Sequence, residues 1–415
     1  MSDALLARLA LFGGTPRSAS ALHVGRPSLG SPDAVIRRVR DAMDRRWLSN
    51  DGPLVFELEH RLADMLGVRH CVAVSSATVG LSILAQASGL RGEVIVPAFT
   101  FVATAHALSW IGLVPVFCDV DRKTHQLDAS LIAAVTTENS SGILAAHTWG
   151  RPADTDSLAA VADGLGLRLV FDAAPALGAT RAGRYVGTFG DAEVISLHAT
   201  KVVSAGEGGA VLTDDDDLAA RVRTMRSFGF VDNDAVMSLG TNAKLPELSA
   251  ALALASLDSY DEIVTTNRQH FRRYEALLDG VPGLSVLPYA DGEQANFNNV
   301  VIEVDEERSG ISRDLLLQVL TAENVLVRRY FYPGCHRMEP YRTWRAPSKE
   351  DFPVTDELAG SVLSLPTGNG LAAAEVDLVG ELLQEVASNG AAITARAKGL
   401  QLPSLYDAEA GGSSL

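Results

Sequence analysis

The chain has 415 residues, 47% of them hydrophobic and 21% charged, with a formal net charge of −16. That length fills more than one core and predicts two or three domains, while the acidity excludes the phosphate backbone of nucleic acid as a partner. No apolar run reaches the roughly 18 residues of a membrane-spanning helix, and no charged start leads into an apolar leader, so no membrane contact and a cytoplasmic location are expected.

Residues 1–30 read as an N-terminal extension, and residues 31–245 as a large domain. From Pro32 to Leu66 the pattern is helical on both sides of a loop, Trp47-Leu48-Ser49-Asn50-Asp51-Gly52-Pro53. Strands and helices then alternate to about Asp215, the signature of a mostly parallel sheet covered by helices. Val72 to Leu81 passes from a β-type run through Ser75 and Ser76 into a helical pattern. Such a helix start offers free N–H groups to a phosphate, and capping by the two serines explains the same residues. Val96 to Thr104 places Phe99 and Phe101 just past a strand, where a ring either stacks on a flat cofactor or joins the core. Asp119 and Asp121 follow an apolar strand and are expected to cap a turn. The Asn139-Ser140-Ser141 sequon is expected to be idle.

Leu169-Val170-Phe171-Asp172 closes an apolar strand on a carboxylate, which is costly to bury unless it meets a cation. The protonated pyridine nitrogen of pyridoxal 5'-phosphate (PLP) would be such a cation; an N-cap for a following helix is the other reading. Ser196-Leu197-His198-Ala199-Thr200-Lys201 ends a polar turn in a lysine, which when desolvated attacks a carbonyl to form an imine with PLP. Gly206-Glu207-Gly208-Gly209 follows, too unlike GxGxxG or a P-loop to cradle a nucleotide. His147 and His198 are read as packing and hydrogen-bonding residues rather than bases or ligands. Cys71, Cys118 and Cys335 lack metal-ligand spacing and predict free buried thiols, with no metal site. Residues 246–282 form a linking helical segment, 283–393 a smaller α/β domain and 394–415 a tail. Within the small domain, Arg328, Arg329, Tyr330, Phe331 and Tyr332 suit a diphosphate and the apolar face of a deoxysugar, or core packing with solvated arginines.

Taken in order, these segments resemble the PLP-dependent sugar aminotransferases of the DegT/DnrJ/EryC1/StrS family from roughly Ser28 to Val386. The matching pieces include Gly52-Pro53, Ser76-Ala77-Thr78, Phe101-Val102-Ala103-Thr104, His147-Thr148-Trp149-Gly150, Asp172-Ala173-Ala174, the Lys201 turn, Gly206-Glu207-Gly208-Gly209 and Gly240-Thr241-Asn242. The resemblance implies a fold type I α/β aminotransferase with Lys201 as Schiff-base lysine and proton shuttle and Asp172 on the pyridine nitrogen. It implies Ser76, Ala77, Thr78 and Ser196 around the phosphate, Phe101 and Ala174 on the two ring faces, and Asn242 arriving from the second subunit of a homodimer. Pro175 departs from the usual donor at its position, and Ala77 from a usual glycine. Similarity around Asn298-Asn299 and Gly310 to Asp314 points to members that aminate C4 of a nucleotide-linked 4-keto-6-deoxyhexose. The implied reaction takes the amino group from L-glutamate to C4 of dTDP-4-keto-6-deoxy-D-glucose in secondary-metabolite (antibiotic) deoxysugar biosynthesis, with Trp47, Asn50, Arg328, Arg329, Tyr330 and Phe331 binding the substrate. A 3-keto substrate and a PLP-binding regulator without turnover are the alternatives. Sugar dehydratases of the same fold carry histidine in place of the lysine, and Lys201 speaks against them.

Overall fold

A computed structural model of the chain describes residues 6–232, 234–344 and 351–400. Its strands, in chain order, are β1 (Leu22–His23), β2 (His70–Val74), β3 (Glu93–Pro97), β4 (Val114–Cys118), β5 (Ser140–Ala146), β6 (Arg168–Asp172), β7 (Thr180–Arg181), β8 (Arg184–Tyr185), β9 (Ala192–Ser196), β10 (Gly209–Thr213), β11 (Leu284–Val286), β12 (Val300–Val304), β13 (Val325–Leu326) and β14 (Val362–Leu365). The valine-, isoleucine- and leucine-rich runs among them are buried on both faces, as strands of a helix-covered sheet must be. Seven of them form one sheet in the order β2-β10-β9-β6-β5-β3-β4, in which β10 alone runs against its neighbours. Leu58, Leu62, Phe171 and Leu254 fill one face, and Val72, Leu81, Leu84 and Val194 the other.

This sheet direction places the site. The carboxyl ends of β2, β3, β5, β6 and β9 share one edge, and β10 starts there, with Gly209 in register between Val74 and Ser196. Open α/β sheets bind ligands at that edge, where the loops leave room between strands.

The second core lies on the antiparallel sheet β11-β12-β14 and joins Val300, Leu316, Leu320, Val379 and Leu383. Leu9 and Leu22 are buried in it, β1 pairs in parallel with β13, and the Glu323 carboxylate accepts the amides of Ala10 and Arg17 at 2.8 Å each. The segment expected as an N-terminal extension is therefore, from Leu9 on, packed into this second core. The first residues of the expected tail also pack there, since the Gly390–Ala397 helix runs on through them and the Thr394 hydroxyl donates to Gly310 O at 2.8 Å, while residues 401–415 lie outside the described residues. The linking segment consists of two helices, Glu247–Asp258 and Tyr260–Leu278.

Asp119 contributes to the join between the domains. Its carboxylate accepts from the Val354 amide at 3.0 Å, the Thr355 amide at 2.9 Å and the Thr355 hydroxyl at 2.6 Å, at the N-terminus of the Pro353–Ser361 helix. A local turn cap was expected of both aspartates; only Asp121 makes one, through the amides of Lys123 and Thr124. No helix among the described residues is long and apolar enough to cross a membrane.

Candidate active site

The chain leaves β9 at Ser196 and returns through β10, and the intervening loop is zipped by the Leu197 amide on Gly208 O at 2.9 Å and the Ala199 amide on Gly206 O at 2.8 Å. Gly206 takes φ +75°, a left-handed turn that suits glycine. Lys201 stands at the apex, its own amide bonded to His198 O at 2.9 Å. The turn is clamped from the small domain, because Asn298 Nδ2 donates to Thr200 O at 3.1 Å. On its other side Gly25 lies so close that a Cβ there would stand 3.0 Å from Thr200 Cγ2. Burial disfavours the ammonium form of Lys201 and lowers its pKa from the ordinary lysine value, with the Asp172 charge opposing that shift only in part. An amine whose pKa is lowered becomes neutral, and so nucleophilic, at a lower pH than an ordinary lysine.

Asp172 ends β6 and is 6% exposed. The residues after it form turns, not a helix, so the capping reading falls. Thr104 Oγ1 donates to Asp172 Oδ2 at 2.7 Å, and the Ala174 amide donates to Oδ1 at 3.1 Å. With the single Thr104 hydrogen committed to the carboxylate, Thr100 Oγ1, 3.1 Å away, is the donor to Thr104. A buried carboxylate oriented by two donors, with lone pairs to spare, fits a cationic ring nitrogen. Thr104 was quoted only as part of a motif; no sequence signal identified it as the residue that fixes the aspartate.

Beside β2, Ser76 caps the Ala77–Ala87 helix, its hydroxyl accepting from the Val79 amide at 3.3 Å. The Ala77 and Thr78 amides, first in that helix, have no intrahelical carbonyl to bond, the condition in which helix-start N–H groups serve as anion donors. Ala77 is helical rather than left-handed, so its Cβ causes no backbone strain. Gly209 lets β10 approach the backbone of this helix start, since a Cβ there would stand 2.7 Å from the Ala77 nitrogen. Ser196 Oγ, at the end of β9, accepts from the His198 amide at 3.2 Å. Pro175 offers no donor, and its carbonyl accepts from Asn296 Nδ2 at 2.9 Å.

The two phenylalanines separate. Phe99 is fully buried, edge-on to Trp149 and Phe331, whereas Phe101 is 55% exposed on the site side of the β3 loop. Ala174 is half-buried on the Asp172 turn. His147 is wholly internal: Nδ1 accepts from the Ala153 amide at 2.9 Å, which leaves Nε2 as donor to Glu193 at 2.8 Å, and the ring stacks on Phe171. His198 meets Thr200 through Nδ1 at 2.9 Å. The His198 side chain is 43% exposed, with Nε2 3.7 Å from Glu207. All three cysteines are buried and free, and burial pushes the Cys118 and Cys335 thiols up to about 12.

Of the residues expected at the substrate end, the 328–331 stretch runs on to Cys335, whose amide ties it to the end of β3 by donating to Ala98 O at 2.9 Å. Phe331 stacks on Trp149 with ring centroids 4.8 Å apart, so its faces belong to interdomain packing, the core alternative for this stretch. Arg329 lies 4.3 Å over the Tyr332 ring and 3.8 Å from Asp314, Tyr330 is half-buried beside Phe331, and Arg328 is exposed. Trp47 is exposed, its indole N–H reaching Asn50 O at 3.4 Å. Asn242 is exposed, with Lys244 Nζ donating to its Oδ1 at 2.7 Å.

Residues 32–384 match the model of the DegT/DnrJ/EryC1/StrS aminotransferase family. The chain is 31% identical over 346 residues to a dTDP-4-amino-4,6-dideoxy-D-glucose transaminase of Escherichia coli, covering 83% of this chain and 93% of that protein. It is 32% identical over 354 residues to the GDP-perosamine synthase of Caulobacter vibrioides, covering 84% and 94%. Among solved structures it superimposes on DesI, determined in the presence of its TDP-sugar product, with a TM-score of 0.91 and 48% identity over 95% of this chain and 100% of that one.

Proposed function

The chain belongs to the DegT/DnrJ/EryC1/StrS aminotransferase family, and from that premise we propose that it transfers the amino group of L-glutamate to C4 of dTDP-4-keto-6-deoxy-D-glucose, giving dTDP-4-amino-4,6-dideoxy-D-glucose. The observation that carries the chemistry is the desolvated Lys201 on the same sheet edge as the buried, doubly hydrogen-bonded Asp172 and the open start of the Ala77–Ala87 helix. The C4 and dTDP assignments are supported by the name of the Escherichia coli relative and by the TDP-sugar product of DesI. A secondary-metabolite pathway is the setting we infer.

The cofactor is pyridoxal 5'-phosphate, which when bound supplies an electron sink for cleavage of the bond to the α-hydrogen. The Ala77 and Thr78 amides, with the Ser76 and Ser196 hydroxyls, would hold its phosphate, Asp172 its ring nitrogen, and Phe101 and Ala174 its two faces. Lys201 Nζ would carry the covalent attachment and, once released from it, would take the proton from the donor's α-carbon in the glutamate half-reaction and, in the separate second half-reaction, place a proton on the sugar carbon that receives nitrogen. Thr104 keeps the Asp172 carboxylate aimed while this happens.

Regiochemistry follows from reach. Transfer at C3 and C4 is the same reaction, so selectivity rests on where the nucleotide diphosphate is anchored and how far the sugar then extends toward Lys201. Arg328, backed by Arg329, Tyr330 and Phe331, fixes that pose together with Trp47 and Asn50. Run in reverse with 2-oxoglutarate, the enzyme is expected to consume dTDP-4-amino-4,6-dideoxy-D-glucose and leave a 3-amino isomer untouched; preferential use of the 3-amino sugar would replace C4 by C3.

The working unit is a homodimer in which Asn242 reaches the phosphate held by the neighbouring copy. Supporting this, Asn242 follows a stretch whose Val231, Met237 and Leu239 are 57%, 73% and 81% exposed, an apolar surface suited to burial against a second chain. Sedimentation at assay concentration is expected to give a dimer, and an active monomer would exclude shared sites.

A further inference from the structure

We infer that Arg226 is a positioning residue that holds the Trp47–Gly52 loop beside the phosphate end of the site, so that its partner Asp51 governs binding of the sugar nucleotide. The inference builds on the substrate reading above, which places Trp47 and Asn50 against that ligand.

Arg226 ends the Asp216–Arg226 helix and is 1% exposed. Its Nη1 donates to Glu59 Oε1 at 2.9 Å and to Ala73 O at 2.7 Å, and its Nη2 donates to Asp51 Oδ1 at 2.8 Å. The planar fork therefore fixes three segments at once: the helix carrying Glu59, strand β2 leading to Ser76, and the substrate-side loop. The main chain of the same residue extends the tie, because Arg226 O accepts from the Ala243 amide at 2.9 Å and Ala243 O accepts from the Ser75 amide at 2.8 Å. Arg226 thus joins the Asn242 segment, the phosphate-binding helix start and the Asp51 loop.

The loop requires such an anchor. Asn50 and Asp51 both adopt left-handed backbone, φ +61° and +57°, a pair of strained residues that persists only where the surroundings over-determine it. Two other ties come from the Glu247 amide on Leu48 O at 3.0 Å and from the Trp47 indole on Asn50 O. Neither touches the Asp51 side chain. Burial of the guanidinium is not a simple source of stability, since desolvating an ion pair offsets much of its attraction and Arg226 Nε stays buried without a partner among the described residues. What the network supplies is a fixed geometry. Glu59, which also accepts from the Ala73 amide and from Arg223 at 2.8 Å each, and Ala73 O hold the Arg226 Nη1 group independently of Asp51, so Asp51 can be altered without leaving Arg226 unpartnered.

The test uses the full-length holoenzyme with Asp51→Asn. Its carboxylate is partly exposed, and the substitution keeps shape while weakening only the outer arm of the network. The expected result is an unchanged glutamate half-reaction and cofactor absorption, an unchanged kcat with the amino sugar, and a KM for that sugar raised about tenfold. Asp51→Glu, which keeps the charge, is expected to recover part of that loss. Direct binding of dTDP, which needs no turnover, is expected to weaken by the same factor in Asp51→Asn. Wild-type affinity for dTDP together with unchanged KM would overturn the inference, and so would equal losses in both half-reactions, the mark of general damage to the fold. Failure of the wild type to use either amino sugar would strike the substrate reading alone, with dTDP affinity still reporting on the loop.

Discussion

Replacing Lys201 by alanine is expected to abolish transamination and, with it, the visible absorption that marks covalently attached cofactor. The amine has two duties at one place, attachment and proton transfer, and loss of a positioned proton-transfer group alone costs about 10²- to 10⁴-fold in rate. Its neighbours prepare it for both. Burial lowers its pKa, so the neutral amine dominates at a pH where an ordinary lysine is still protonated. The sign is open to measurement: in cofactor-free protein, acylation of Lys201 followed by peptide mass spectrometry should rise with pH and level off below the range of solvent-exposed lysines. A borohydride-reducible adduct that persists in Lys201→Ala would move the attachment elsewhere. Labelling that tracks surface lysines would remove the desolvation argument while leaving the attachment intact.

The second large effect is expected at Asp172. Asp172→Asn keeps size and the Ala174 contact but removes the charge that would pair with the ring nitrogen. Breaking a buried ion pair by neutralising one partner costs on the order of 3–5 kcal/mol, which corresponds to roughly a hundred- to several-thousand-fold in the half-reaction with glutamate if the full pair energy is needed in the rate-limiting step. Thr104→Val should fall between the two, because it leaves the charge and removes only the 2.7 Å bond that aims it. Stopped-flow measurement of both half-reactions separates these cases. A full-rate Asp172→Asn enzyme would reduce the residue to a turn-stabilising role.

How much of this was legible in the chain depends on the range of the interaction. Alternating apolar runs and helical patterns predict the α/β architecture because strand and helix periodicities are local properties. The chemistry-bearing motifs stand at strand ends for the same reason: Asp172 closes the apolar run 169–171, and Ser76 opens a helix. Once five parallel strands share a direction, those motifs must meet at one edge, so the gathering of Ser76, Phe101, Asp172, Ser196 and Lys201 follows from topology. The two departures resolve differently. Ala77 takes helical backbone, which any residue adopts, so its Cβ brings no strain. Pro175 has its carbonyl tied to Asn296, and its missing donor is not replaced in kind by that contact.

By itself, then, the sequence determined the secondary-structure order and the placing of Lys201 in a turn and Asp172 at a strand end, because each is written within a stretch of about ten residues. Tertiary structure alone decided which aromatic is buried and which is left exposed. Phe99 and Phe101 are two apart and would share a face of a continuing strand, but the chain leaves the sheet after Pro97 and turns at Phe101, whose carbonyl already accepts from the Thr104 amide. It also decided that Leu9 and Leu22 complete the small-domain core, that Asp119 caps a helix 235 residues on, and that Arg226 reaches Glu59, Ala73 and Asp51. Each of these pairs a donor or an apolar surface with a partner more than 100 residues away. The free energy of such a contact depends on burial and on the geometry of both partners, and neither exists until the sheet has brought them together.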